Sequence, residues 1–311
     1  MKEGETFISK EYFLRPMTPK EAYLRAGKIH HEVCERSREL IKPGASFLEI
    51  AQKIEGYIGQ YPEASLAFPV NLQINNEVHY SPLPQDTRIL NKEDIIKVDV
   101  GVHVEGYIAD GAYTIALNKD YQEMVDFTEK VLKETLTGLK PGMKVSEIGK
   151  RLDTHMKGSK YKIIKNLMGH QVQQWDLHST KSVYVYEQDS PHIMEPGDAF
   201  AIEIFITDGL GFIKSSPHAV IYALKRKLIP MRDMKLRALC KEIYDKRRYL
   251  PFTERYIVEH LKYSKVDFLN LKRSANLTEY PILLETQGSK IAQFEDIIYI
   301  DTDKVIITTK P

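Results

Sequence analysis

The 311-residue sequence predicts a mixed α/β fold assembled from two related halves. Three observations carry that prediction. A helix–turn–helix pattern occurs twice, a strand motif with an embedded acid occurs twice, and the apolar residues shift between helical and alternating spacing along the chain.

The helices come first in each half. "ELIKPGASFLEIAQKIEGYI" (39–58) and "TGLKPGMKVSEIGKRLDTHM" (137–156) each read as the end of one helix, a Lys-Pro-Gly turn, an N-cap serine and a second helix. Ser46 and Glu49 have the spacing of a capping box, whereas Ser146 opens its helix without an acid at the third position. The first helix of each pair is expected over about 18–41 and 120–138. The strands repeat as well. "NKEDIIKVDVGV" (91–102) aligns with "MEPGDAFAIEIFI" (194–206), and "GYIADGAYTI" (106–115) with "IAQFEDIIYI" (291–300). Asp94 then matches Asp198, Asp99 matches Glu203 and Asp110 matches Glu295. Acids at matched strand positions imply pseudo-two-fold packing about a shared centre.

Asp99 and Asp110 sit in strands otherwise built for burial, and a buried carboxylate is expensive unless it is paired or binds a metal. A hairpin turning at the Val104–Glu105 bond puts the two aspartates directly across from each other, with Cβ atoms about 4.5–5.5 Å apart. That suits two carboxylates sharing a pair of metal ions about 3.5–4 Å apart. The competing reading is a register that turns one aspartate outward as a polar edge residue. Histidines favour the site. His170 and His178 lie in "NLMGHQVQQWDLH", and His79 ends "FPVNLQINNEVH" in the first half. One imidazole completes a carboxylate-rich ligand set, and the others are placed to hydrogen-bond a substrate or relay a proton. Oxygen ligands with one nitrogen suit Mn, Co, Fe or Zn in a pair rather than a cysteine-based structural zinc site.

The segment 222–282 breaks the repeat and reads as an inserted helical subdomain, leaving 1–221 and 283–311 as the main domain. Pro230 and Pro281 flank it, three short helices or two helices and a hairpin would fill it, and His218 just before it is a candidate for the pocket rim. Bulk properties narrow the class. Forty-four Lys and Arg against 43 Asp and Glu leave a net charge of +1, which argues against a nucleic-acid-binding surface. The short basic runs Lys225–Lys227 and Lys246–Arg248 are expected to be solvated faces. Two distant cysteines, no signal-like apolar stretch in "MKEGETFISKEYFLRP" and no run of 18 apolar residues lead us to expect a cytoplasmic protein that does not enter membranes.

With these segments in order, the chain resembles the methionine aminopeptidases, specifically their type 2 archaeal and eukaryotic branch, over nearly its whole length. "KVDVGVHVEGYIAD", "NLMGHQVQQWDLH", "FAIEIF" and "AQFED" carry the resemblance. It implies a pita-bread (creatinase/aminopeptidase) fold with an inserted helical subdomain. It also implies two divalent ions (Co, Mn, Fe or Zn) held by Asp99, Asp110, His170, Glu203 and Glu295, with Asp110 and Glu295 bridging. His79 would contact the substrate near the scissile bond, and His178 would hydrogen-bond its carbonyl. Phe68, Leu177 and Tyr280 would help receive a methionine side chain, although composition alone makes Phe68 and Leu177 equally good core residues. Glu203 combines ligation with proton shuttling, which makes it a catalytic residue beside His79 and His178. The implied activity is removal of the initiator methionine before a small second residue, acting on nascent polypeptides as a monomer, with ribosome association compatible with that task. Three departures stand out: Ile204 where the family carries proline after the glutamate, Asp296 where it carries histidine, and one residue fewer before His79. Two other classes share the resemblance. One is a metallohydrolase cutting X-Pro or opening creatine-like substrates, which usually carries an additional N-terminal domain for which residues 1–20 leave no room. The other is a non-catalytic RNA- or protein-binding relative, which would be expected to lack metal ligands.

Overall fold

The computed structural model describes residues 17–310; the N-terminal stretch read for a signal sequence, residues 1–16, lies outside the described residues. Helices α1 (Pro19–Ser37) and α2 (Phe47–Ile58) lead into the short strands β1 (Ala64–Leu66), β2 (Asn71–Ile74) and β3 (Glu77–Val78). The long strands β4 (Ile95–Val104) and β5 (Tyr107–Ala116) complete the first half. The second half repeats the plan with α3 (Gln122–Leu136), α4 (Ser146–Met156), β6 (Lys162–Ile163), β7 (Gly169–Val172), β8 (Ser182–Val183) and β9 (Ala199–Thr207). Next come β10 (Lys214–Leu224), α5 (Met234–Arg247), β11 (Phe252–Thr253), a π-helical turn (Tyr256–His260), α6 (Lys265–Arg273) and β12 (Leu277–Leu284). Strands β13 (Ile291–Ile300) and β14 (Val305–Ile307) close the chain.

Local chemistry explains the helix boundaries. Thr18 and Glu21 form a reciprocal capping box at α1, with Pro19 as its first residue, where a missing N–H costs nothing. Ser46 caps α2 by accepting from the Glu49 N–H at 3.4 Å. The expectation for Ser146 is corrected: it is the first helical residue of α4, and the cap position belongs to Val145, whose side chain cannot accept. The cause lies in the repeat itself. Ser46 bridges to Ile89 while Phe47 N–H bonds the Arg88 carbonyl; in the second half Lys144 bridges to Ile193 while Val145 N–H bonds the His192 carbonyl. Lys144, and not Ser146, therefore stands where Ser46 stands.

The main sheet runs β1-β4-β5-β13-β9-β7-β8, with β2 also on β4, β6 on β9 and β14 on β13. The order is symmetric about the β5/β13 seam, and α1 packs on β4 and β5 as α3 packs on β9 and β13. The matched aspartates behave alike. Asp94 accepts the Asn91 N–H and offers its carbonyl to Leu117; Asp198 accepts the Glu195 N–H and offers its carbonyl to Ile300. At the seam the backbone register aligns Glu295 with Ala112, and the Thr114 hydroxyl then takes over: it accepts from Gln293 N–H at 2.8 Å and donates to the Gln293 carbonyl at 2.6 Å.

The β4–β5 hairpin corrects one expectation. Val104 pairs with Tyr107, so Glu105 and Gly106 form a two-residue turn with φ of 51° and 87°. Two positive φ values are what a tight hairpin matched to strand twist requires. Asp99 consequently faces Ala112 and Asp110 faces Gly101, which makes the aspartates diagonal neighbours on one face rather than direct partners.

A second sheet, β11-β10-β12-β3, covers the other side of the site and borrows β3 from the first half. Leu239, Ile243, Phe252, Ile257 and Leu271 form its core with α5 and α6. Two buried arginines tie this module to the main sheet. Arg255 pairs with both Glu55 carboxylate oxygens on α2, and Arg247 donates to the Ala67 and Pro251 carbonyls. Arg247, expected on a solvated face, is thus a buried strut. Among the described residues no helix is long and apolar enough to cross a membrane, and both cysteines are buried and free.

Candidate metal and substrate site

Strand register assembles the candidate ligands on one face of the sheet, three of them in one row. Asn71 on β2 faces Asp99 on β4, Asp99 faces Ala112 on β5, Ala112 faces Glu295 on β13, and Glu295 faces Glu203 on β9. Two residues along, and so on the same face, come Asp110 on β5 and His170 on β7, which faces Ala201. Ligand atoms of Asp110, His170 and Glu295 lie within 4.8 Å of one another. His170 Nε2 is 3.8 Å from Asp110 Oδ2 and 3.7 Å from Glu203 Oε1. All five sequence-selected residues are therefore brought together, two from the first half and three from the second.

Electrostatics fit a cation at this place. Burial first, and like charges after it, push Asp110 and Glu295 well above the ordinary carboxyl range. Burial raises Asp99 to about 7, and burial with the Asp99 charge raises Glu203 to about 8. Burial also holds His170 well below its usual value, which leaves a neutral imidazole able to donate a lone pair. Among the described residues, no hydrogen-bond partner reaches the buried Asp99 Oδ1, Asp110 Oδ1 or Glu295 Oε1. Orphaned carboxylate oxygens beside a neutral imidazole are what a divalent metal satisfies.

The cluster lies at the base of a cavity of about 470 Å³. Phe68, Leu177 and Tyr280 all line it, as do His79 and His178. Phe68 has room because residue 101 is glycine: a Cβ there would stand 2.3 Å from Phe68 Cε1. The His178 ring is centred 4.4 Å from that of His170 and 6.2 Å from that of Tyr280. His79 follows β3 in a left-handed conformation, φ 62°, and its N–H donates to Gln73 Oε1 at 2.7 Å. Burial, and then nearby His178, lower its imidazole pKa to about 4. His218 is exposed on β10 and does not line the cavity.

The departures have local explanations. Ile204 is fully buried on the opposite face of β9, and Asp296 likewise points away from the cluster, bonded to Thr309 and paired with Lys310 at 3.5 Å. Asp296 thus brings its own counter-charge. Sequence reasoning missed Asn71, Ile221, Pro251, Gln73 and Gln293. Gln293 was within reach, since strand alternation puts it on the face of Glu295. Ile221 and Pro251 come from the second sheet module and carry no local signal.

Comparison with known proteins follows the same outline. A profile of Metallopeptidase family M24 matches residues 21–300. The chain is 34% identical to a protein named methionine aminopeptidase from Pyrococcus horikoshii, over 92% of this chain and 98% of that one. Among solved structures, a thermophilic Arx1 superposes with a TM-score of 0.78 at 15% identity, covering 93% of this chain and 90% of that one. A methionine aminopeptidase from Thermotoga maritima superposes with a TM-score of 0.68 at 19% identity, covering 96% and 99%. These two likenesses concern the fold, which is the pita-bread fold.

Proposed function

The chain belongs to metallopeptidase family M24, and on that footing we propose that it is a metal-dependent aminopeptidase removing the initiator methionine from polypeptides with a small second residue. The observation that carries this reading is a cluster of four carboxylates and one neutral histidine at the base of an apolar-walled cavity. Asp99, Asp110, His170, Glu203 and Glu295 would hold two ions drawn from Mn, Co, Fe or Zn. Bound there, divalent ions supply Lewis-acid polarisation and water activation. The chain's own groups do the rest. Phe68, Leu177 and Tyr280 receive the methionine side chain, whose thioether packs well against aromatic rings. His178, at the rim, donates a hydrogen bond to the substrate carbonyl, and His79 contacts the peptide beside the scissile bond. Glu203, a ligand in this reading, also takes up and returns a proton, with its acidity set by the bound ions.

Nascent chains are the substrates of this reading, with a cytoplasmic monomer that visits the ribosome as its setting. The alternatives, X-Pro hydrolysis and a non-catalytic binding role, fit less well, since the sequence relationship to a methionine aminopeptidase spans 98% of that protein. Rates on Met-Ala-Ser, Met-Lys-Ser and Ala-Pro after reconstitution with Mn²⁺ test the proposal. Release of methionine from Met-Ala-Ser, with little from Met-Lys-Ser and none of the Ala-Pro bond cut, is expected. Equal kcat/KM for alanine and lysine in the second position, or preferential Ala-Pro cleavage, would overturn it.

A further inference from the structure

Beside the row of candidate ligands runs a second row that the reaction does not obviously use. Gln73 on β2 faces Lys97 on β4, and Gln293 on β13 follows across the seam. Both glutamines are completely buried. Gln73 Oε1 accepts the His79 N–H at 2.7 Å, and Gln73 Nε2 donates to Gln293 Oε1 at 3.2 Å. Gln293 Nε2 donates in turn to Asp99 Oδ2 and Glu295 Oε2, both at 3.3 Å. The direction of this relay is dictated by its ends. A backbone N–H can only donate, so Gln73 must turn its oxygen to His79 and its amide nitrogen to the Gln293 oxygen, which leaves the Gln293 nitrogen facing the two carboxyl groups. Turning either glutamine over would set oxygen against oxygen and leave a buried donor unmet.

We propose that Gln73 is a positioning residue that locks the left-handed backbone of His79 to the metal-binding carboxylates through Gln293. This rests on the reading of His79 as a substrate contact. A residue with φ 62° and a side chain beyond Cβ is held in place by its surroundings. The Gln73 oxygen supplies a specific hold. The buried Lys97 steadies the same loop by donating from Nζ to the Asn75 carbonyl at 2.8 Å. Gln73 thus sets where His79 presents its ring, and Gln293 sets how Asp99 and Glu295 present their oxygens.

Gln73→Met keeps the length of the side chain and removes both bonds; Gln73→Ala serves if the thioether prevents folding. The expected result is a kcat on Met-Ala-Ser lowered roughly tenfold, the scale of one lost buried hydrogen bond, with KM little changed. Mn²⁺ affinity measured by calorimetry should fall by about tenfold, as for other groups that orient metal ligands. Two readouts separate positioning from general loosening. In the His79→Ala background at saturating Mn²⁺, Gln73→Met should change kcat less than about twofold, because the imidazole it positions is gone. Amide exchange of His79, followed by NMR in the metal-free protein, should accelerate in Gln73→Met. Additive effects on kcat, or an unaltered His79 exchange rate, would overturn the proposal. If the wild-type protein fails to cleave Met-Ala-Ser while His79 exchange still depends on Gln73, the backbone lock stands and the functional reading falls.

Discussion

Gly101→Ala tests the methionine pocket without touching a ligand. The new Cβ would lie 2.3 Å from Phe68 Cε1 and 2.4 Å from Cδ1, whereas carbon atoms pack at about 3.5–4.0 Å. The ring must therefore retreat by more than 1 Å, an estimate set by those contact distances. Phe68 is 5% exposed and backed by Ala67 and Ile108, so its open direction is the cavity. Overpacking of this kind costs about 1–3 kcal/mol of stability. Filling the cavity with the ring removes about the same from binding of a long side chain, roughly 10–200-fold in kcat/KM. The assay compares Met-Ala-Ser with a substrate carrying alanine in place of the methionine. The ratio between them should collapse toward unity, while Mn²⁺ content stays at the wild-type level because Asp99 keeps its place in the strand. If kcat/KM for Met-Ala-Ser stays within about twofold of wild type in a folded variant, Phe68 is not a wall of the pocket and the argument from Gly101 is wrong.

Three further outcomes are expected. Asp110→Asn and Glu295→Gln should empty the metal site by mass spectrometry, whereas His178→Ala should stay loaded and lose about a hundredfold to a thousandfold in kcat; a loaded Glu295→Gln beside an empty His178→Ala would reverse the assignment. In the metal-free protein, burial holds the carboxyls of Asp99 and Glu203 at about 7 and about 8, above the ordinary 3.8 and 4.5. Those acids ionise more readily unfolded, whereas buried histidines such as His79 and His170 oppose them below their ordinary 6.5, so the urea midpoint should fall as pH rises from about 6.5 to about 8 and Mn²⁺ should restore it at the upper end; a midpoint level across that range would contradict the burial argument. Arg255→Met leaves Glu55 without its partner in a tie that is 2% exposed on the arginine side, and should lower unfolding free energy by about 3–5 kcal/mol in a denaturant titration.

Which parts of this molecule could be read in advance follows from the range of the forces involved. The two-fold repeat was legible because turns and caps are local, and the same aspartate turn closes both halves at Asp94 and Asp198. The sequence left two faces open for Asp99 and Asp110, a shared one or one aspartate turned outward, and the observed hairpin keeps the shared one. Their pairing was not legible, because moving the turn by a single residue shifts the register by two and keeps the parity. The cap at α4 misled for a related reason: Ser146 has the right chemistry, but a bridge from Lys144 to Ile193, 49 positions away in sequence, decides where the helix begins. Arg247 looked solvated in a basic run, and only packing of α5 against the loop before Phe68 turns its guanidinium inward. The Ile221 and Pro251 walls depend on how the second sheet closes over the first, which no local pattern encodes.

The seam between β5 and β13 ties the halves together partly through one threonine hydroxyl, and the candidate ligands straddle it. Asp99 and Asp110 belong to one side; His170, Glu203 and Glu295 belong to the other. Any ion gripped by both sets is also a rivet between the halves, so metal affinity and inter-half cohesion are two faces of a single coupling free energy. Reciprocity then holds in both directions: whatever loosens the seam weakens the grip on the ion by the same factor that the ion tightens the seam. A peptidase built this way needs no separate sensor of its own loading, because the cohesion of its two halves reports it.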